Sequence, residues 1–252
     1  MPAEFLPVEA CPGTIAIKNA FLASDAVAAA VSLAELWQQG RYRELSVHLN
    51  SELAHAETIG DRVALIAAAN DLACVQRALG DHESAAYFQL LAATAERQPV
   101  DGEPGRISAK SLGNLACDAM LAGKLAIAES LLWKSLLAEL ATGNEPGAAA
   151  DWANLGLIAG LLGDPESSKQ RLWTALKLHR RQRDQFHLAL DLWHLGQLFE
   201  IEGDWNRSTR LFQRAAELFR RIGHQQFRRA AESQRNLNAA RAAVLSFDAS
   251  RN

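Results

Sequence analysis

The chain has 252 residues, of which 49% are apolar and 22% charged, with a formal net charge of −3 at neutral pH. No stretch is expected to cross a membrane, because the apolar region Thr14–Trp37 is interrupted by Lys18, Asp25 and Glu35, and no basic n-region marks a signal peptide. Three cysteines are too few for a disulfide framework and point to a reducing, cytoplasmic compartment.

Taken in order, residues 1–14 are proline-containing, acidic and aperiodic, and read as an extended lead-in. Residues 15–223 read as an array of helical hairpins. The first hairpin is Ile15–Gln39 with Arg41–Glu57, and the second is Asp61–Leu79 with Asp81–Arg97. Gln98–Arg106, with two prolines and two glycines, must be a loop. The third hairpin is Ile107–Ala122 with Leu125–Ala141, followed by a loop over 142–147. The fourth is Ala148–Leu162 with Pro165–Arg180, where Asp164-Pro165 combines a cap with a proline at the first helical position. The fifth is Gln185–Glu202 with Trp205–Arg221. Its first helix sets Leu192, Leu195, Gly196 and Phe199 on one face; Asp204 caps the second, which buries Leu211, Phe212, Ala215, Leu218 and Phe219. Residues 224–246 read as a capping helix with a polar outer face, and 247–252 as a tail.

The period binds these elements together. Turn glycines stand at Gly40, Gly80, Gly123, Gly163 and Gly203, separated by 40, 43, 40 and 40 residues. Small or apolar residues recur around them: seven before (Leu33, Ala73, Ala116, Gly156, Gly196) and five after (Leu45, Ala85, Ala128, Ser168, Ser208). A third column, twelve after, holds Ala92, Ser135, Ala175 and Ala215. Paired amphipathic helices, a Gly-Asp turn and small residues where the helices cross resemble the tetratricopeptide repeat (TPR). The expectation is an all-α protein, a right-handed TPR superhelix of about five hairpins plus a capping helix. Within that resemblance the third repeat is similar to the long repeats of kinesin light chains, through Leu112, Asn114-Leu115-Ala116, Gly123-Lys124, Ala128-Glu129 and Leu131. It implies a protein-binding adaptor, with a tubulin-like cytoskeletal filament among the candidate partners.

In TPR proteins the first helix of each hairpin lines a concave groove. Carried over by position, the groove candidates here are Trp37, Asn70, Arg77, Lys110, Met120, Leu157, Trp193, Gln197 and Glu200. Most groove positions are small or apolar, which suits an amphipathic helix or extended peptide; alternatively, repeats of this length pack tightly and fill the groove themselves. Chaperone-binding TPRs clamp a terminal carboxylate with Lys, Asn and Arg. Here only Asn70 and Lys110 match that pattern, so a chaperone-tail receptor is not expected.

Charge divides along the chain. Residues 1–164 carry 10 basic and 20 acidic side chains, a net of −10, and residues 165–252 carry 16 and 9, a net of +7. Arg207, Arg210 and Arg214 share a helix face, and Arg228, Arg229, Arg235 and Arg241 follow on the cap. This is either a solvated face partly neutralised by Glu217 and Glu232, or a binding site for an acidic protein, an anionic membrane surface, or the acidic end of another copy in self-association. Nucleic acid is the least favoured partner, since no aromatics interleave with these arginines. Trp133 and Trp173, at matching positions, either bridge neighbouring helices or form a convex anchor patch.

Catalytic and metal-binding signatures are missing. No H-E-x-x-H, P-loop or dinucleotide fingerprint occurs, and the seven histidines are scattered and expected to be at the surface or half-buried. Cys74 and Cys117 occupy equivalent places in successive repeats, too far apart for a bridge, and read as small, half-buried residues. No enzymatic activity, metal or cofactor is expected.

Overall fold

The computed structural model describes residues 32–99 and 105–249, with side chains to residue 243. The expected lead-in, most of the first expected helix and residues 250–252 lie outside that range. Eleven helices follow in order, and no strand occurs among the described residues. They are α1 (Leu33–Gln38), α2 (Tyr42–Ile59), α3 (Arg62–Ala78), α4 (His82–Arg97), α5 (Ala109–Leu121) and α6 (Leu125–Thr142). The remainder are α7 (Glu145–Leu161), α8 (Pro165–Gln182), α9 (Gln185–Ile201), α10 (Trp205–Arg221) and α11 (Gln225–Ala249). Each packs mainly on its neighbours in sequence, which makes the molecule an α-solenoid.

The turns explain the period. Gly80, Gly163 and Gly203 each sit in left-handed backbone, φ 78°, 83° and 78°. The aspartate that follows donates its N–H back across the turn: Asp81 to the Gln76 carbonyl, Asp164 to Ala159 and Asp204 to Phe199, each at 2.9 Å. That bond closes the first helix. The same aspartate opens the second, its carboxylate accepting from the backbone N–H of Ser84, Ser167 or Arg207. One residue pair therefore ends one helix and begins the next.

Between helices the small residues permit close approach. A Cβ on Gly156 would lie 2.8 Å from Leu172 Cγ, and one on Gly196 would lie 3.1 Å from the Phe212 ring. Ala73, Ala116, Ala85, Ala128 and Ser208 are all fully buried at their repeat positions.

Two boundaries differ from expectation by more than two residues. Helix α7 begins at Glu145, inside the expected loop over 142–147, because Pro146 falls in its first turn, where a missing N–H breaks no helical bond. Helix α11 continues to Ala249, past the expected end at 246.

The sequence held no hint of how the ends meet. The first described hairpin packs against the last. Trp37 lies edge-on to Phe186 with ring centroids 6.1 Å apart, and Tyr42 Oη is 3.2 Å from His224 Nε2. His224 stacks on Phe227 at 4.4 Å and is itself covered by Phe186 and Phe219. Burial pushes its pKa down to about 4. The ring is therefore neutral at pH 7, and with Phe227 N–H donating to Nδ1, its Nε2–H faces Tyr42.

Junctions between hairpins also use left-handed residues: Gly60, Gly143, Gly223 and, between α8 and α9, Arg183 at φ 60°. Arg183 is the one non-glycine residue with positive φ among those described. A side chain in left-handed backbone costs about 1–2 kcal/mol, partly offset by the unfolded-state entropy that glycine brings. Arg183→Gly should therefore stabilise the chain by about 0.5–1 kcal/mol and raise Tm by about 2 °C in calorimetry. An unchanged or lower Tm would show that Arg183 is unstrained.

Candidate partner-binding surfaces

The groove candidates are mostly interior residues. Trp37, Asn70, Arg77, Met120, Trp193 and Gln197 are buried, and Lys110, Leu157 and Glu200 are half-buried. The expectation of an open groove at these positions is corrected for the first six, because their side chains are taken up by neighbouring helices. Trp37 joins the closing aromatic cluster, Met120 joins the apolar core of α5–α7, and Trp193 packs edge-on to Phe212 at 5.1 Å. Glu200 accepts from Gln234 and pairs with Arg241 at 2.6 Å on the capping helix.

The central polar trio is committed internally. Lys110 pairs with Asp71, and Arg77 Nε bonds Asp118 at 2.8 Å. Asn70 Oδ1 accepts from Ser111 Oγ and Asn114 Nδ2, both at 3.1 Å, while Asn114 Oδ1 accepts from the Cys74 thiol. Asp71 and Asp118 thus stand where a ligand carboxylate would have to stand. Together these residues make a polar wall between α3 and α5, at the junction whose loop gives the one 43-residue spacing. The apolar core of α5–α7 is distinct from the cluster running through α1–α4 and α7–α11, and Trp152 packs against both. Cys74 and Cys117 are free and fully buried rather than half-buried, and burial pushes the Cys74 thiol pKa up.

Similar polar rungs occur at the next two junctions, and sequence reasoning missed them. Glu139 and His179 each lie sixteen residues after a turn glycine, and Asp151 and Asp191 each lie twelve before the next. At the α8–α9 junction, His179 Nδ1 meets Asp191 Oδ2 at 2.7 Å. His187 Nδ1 meets Asp184 Oδ2 at 2.5 Å, and the two imidazoles stack at 5.1 Å. Burial favours neutral forms of Asp184 and His187, but their mutual attraction overrides it, lowering the Asp184 pKa and raising that of His187. These two histidines, with His194 and His224, are buried, correcting the expectation that they are at the surface or half-buried. Repeat-phase comparison could have found the rung; the i, i+7 spacing along one helix could not. Among the described residues no group of three or more potential ligands is placed to hold a metal.

At the α6–α7 junction the same rung holds two carboxylates. Asp151 is buried, its Oδ2 has no partner, and its pKa is pushed up to about 7 by burial, with the nearby Glu139 adding repulsion against the Ser135 hydroxyl. Ser135 Oγ donates to the Ala109 carbonyl at 2.9 Å, which leaves its oxygen as an acceptor for protonated Asp151.

The arginine candidates lie outside. Arg207, Arg210, Arg214 and Arg229 are exposed, and Arg228 and Arg235 are half-buried. Arg207 leans on Asp204 at 3.3 Å and over the Phe199 ring. Arg228 pairs with Glu232 at 2.9 Å, and Arg235 bonds only the Asn236 side chain. Arg241 pairs with Glu200 and covers Trp205. Of the paired tryptophans, Trp133 bridges hairpins: it packs edge-on to Trp152 at 5.7 Å, with Arg171 over its ring. No helix among the described residues is long and apolar enough to cross a membrane.

No protein-family model matches the chain, and no curated protein matches its sequence. Among solved structures, BtubC (BKLC) from P. vanneervenii is similar, with a TM-score of 0.52 and 16% identity over 79% of this chain and 91% of that chain. At that identity the likeness shows the fold, a TPR-like helical repeat.

Because Asp151 binds a proton more tightly folded than unfolded, stability should fall as pH rises from about 4 to about 7 and level off above. Asp151→Asn keeps the shape and removes that slope. It should match the parent near pH 4 and exceed it by at least about 1 kcal/mol at pH 8 in urea unfolding. Parallel pH profiles for parent and variant would refute the buried neutral acid.

Proposed function

We propose that the chain is a non-enzymatic, protein-binding scaffold that docks an acidic protein surface on the arginine face of α10 and α11. The observation behind this reading is that Arg210 and Arg214 are exposed and have no ion pair among the described residues. Elsewhere Lys110, Arg77, Lys169, Arg171 and Arg181 each hold a carboxylate. Maintaining like charges one helical turn apart destabilises an isolated helix by a few tenths of a kcal/mol. A carboxylate-rich partner turns that cost into charge-assisted, bidentate hydrogen bonds.

Long-range attraction would speed encounter and would weaken with salt. The kinesin-light-chain character of the third repeat and the likeness to BtubC support a filament protein, tubulin-like in kind, as the acidic partner. Burial of the groove candidates makes a peptide-sensing groove the weaker reading. An anionic membrane surface would draw on the same arginines and is separable by experiment.

The test is fluorescence anisotropy with a labelled glutamate-rich peptide, beside sedimentation with phosphatidylserine vesicles. The peptide should bind at low salt, release at high salt, and bind about tenfold more weakly to Arg210→Glu/Arg214→Glu, the loss corresponding to about 1.4 kcal/mol. Vesicle binding without peptide binding would replace the scaffold reading with a membrane tether. Binding to neither would sink the arginine face as a site.

A further inference from the structure

The stack of hairpins closes on itself, and the closing contact is lighter than the packing between successive hairpins. The turn at Gly40 sits against the turn that carries His224. A Cβ on Gly40 would lie 2.8 Å from His224 Nε2, and one on Gly223 would lie 3.8 Å from Gln39 Cγ. Trp37 meets Phe186 edge-on beside them. A second light contact lies within the stack, where α4 and α5 pack on each other less than any other consecutive pair. The bridge from α3 to α5 at that place is polar, with Asn70, Asp71 and Arg77 held by Ser111, Lys110 and Asp118. Polar groups can exchange partners with water when two bodies turn against each other; interlocked apolar side chains cannot.

In the closing contact His224 is engaged at both ring nitrogens. Nδ1 accepts from the Phe227 N–H at 3.3 Å, and Nε2–H faces Tyr42 Oη at 3.2 Å. A second proton has to go to Nδ1, where it would meet the Phe227 N–H head-on. Phe186 from α9, Phe219 from α10 and Phe227 from α11 surround the ring and offer no counter-charge. Other charged groups of these helices are committed or in water. His187, beside Phe186, holds Asp184, and His179 holds Asp191. Arg41 pairs with Glu44 at the rim, Arg228 pairs with Glu232, and Glu35 caps α1 through Ser32. Arg43, Arg220 and Arg221 are exposed.

We infer that this contact is an acid-sensitive latch: a proton on His224 releases Trp37 and Tyr42 from Phe186 and His224, and α1–α4 turn away from α9–α11 about the α4–α5 junction with every hairpin intact. Closed, the ring resists its proton down to about pH 4; released into water, it takes one at its ordinary value of 6.5. The closed form therefore binds fewer protons than the open one. Closure has its full strength above pH 6.5 and weakens as pH falls towards 4, by about thirtyfold at pH 5. That is the opposite sense to Asp151, which stabilises its own junction towards acid, so release of the latch is distinct from general acid unfolding. Arg210 and Arg214 take no part in the latch, which stands apart from the proposed acidic partner.

The experiment is small-angle X-ray scattering on the full chain across a pH series from 7.5 to 4.5, with circular dichroism on the same samples. The maximum dimension of the parent should grow as pH falls, while helical ellipticity stays unchanged. Trp37→Leu, which thins the aromatic contact, should expand at a higher pH than the parent. His224→Gln keeps a polar side chain at the turn without a titrating ring, and should give one profile at every pH. A parent profile that does not change with pH would overturn the inference. So would an expansion that His224→Gln retains, a Trp37→Leu midpoint no higher than the parent's, or an expansion seen only where helix is lost.

Discussion

Each hairpin of this solenoid has one apolar flank that only its neighbour can cover, and everything else depends on that contact being close. Closeness is set by side-chain size at a few positions. Where α7 crosses α8 a Cβ on Gly156 would force Leu172 to move, and where α9 crosses α10 one on Gly196 would crowd the Phe212 ring. Leu172 and Phe212 fill the space instead, both fully buried. Stability in such a stack is a sum of nearest-neighbour terms. The terminal hairpins would then be the weak ones, with one flank each in water. Here the first described hairpin and the last cover each other through Trp37, Tyr42, Phe186 and His224, so the ends are partners and not loose caps.

The junctions are built on one plan and filled with different chemistry. At two of them a polar residue near the end of the second helix meets one in the first half of the next first helix. The pair is a histidine and a carboxylate at the α8–α9 junction and two carboxylates at α6–α7. The α3–α5 contact is a wall of amides and ion pairs. Buried polar groups of this kind add little net stability against an apolar filling, since desolvation offsets most of the attraction. What they do is make the junctions unequal: one stacks two histidines against carboxylates, one is sensitive to protonation, and one is a network of amides and ion pairs. Burying the groove positions in this way also moves the accessible chemistry to the outside of the helices. There α10 carries a basic face through Arg207, Arg210 and Arg214.

Much of this was legible in the residues themselves. The 40-residue glycine period, the small-residue columns and the Gly-Asp turn located the hairpins. Local chemistry accounts for that: left-handed glycine, aspartate caps and helical apolar spacing act within a few residues of one another. Helix α7 started early for an equally local reason, the tolerance of a first turn for Pro146. The arginine candidates were visible too, because charged side chains that stay in water keep the helical face on which the sequence writes them.

What the residues alone determined, then, is the repeating unit and its surface charge. The tertiary structure decided which polar side chains are spent inside. Arg77, Asn70 and Lys110 read as groove residues until Asp118, Ser111 and Asp71, on different helices, took them. His179 and His187 looked scattered until the turn at Arg183 stacked them, and Trp37 and Phe186 meet across nearly the whole length of the array. Such pairs depend on how each hairpin is rotated against the next. That small angle is set by the summed packing of many side chains, and no local pattern encodes it.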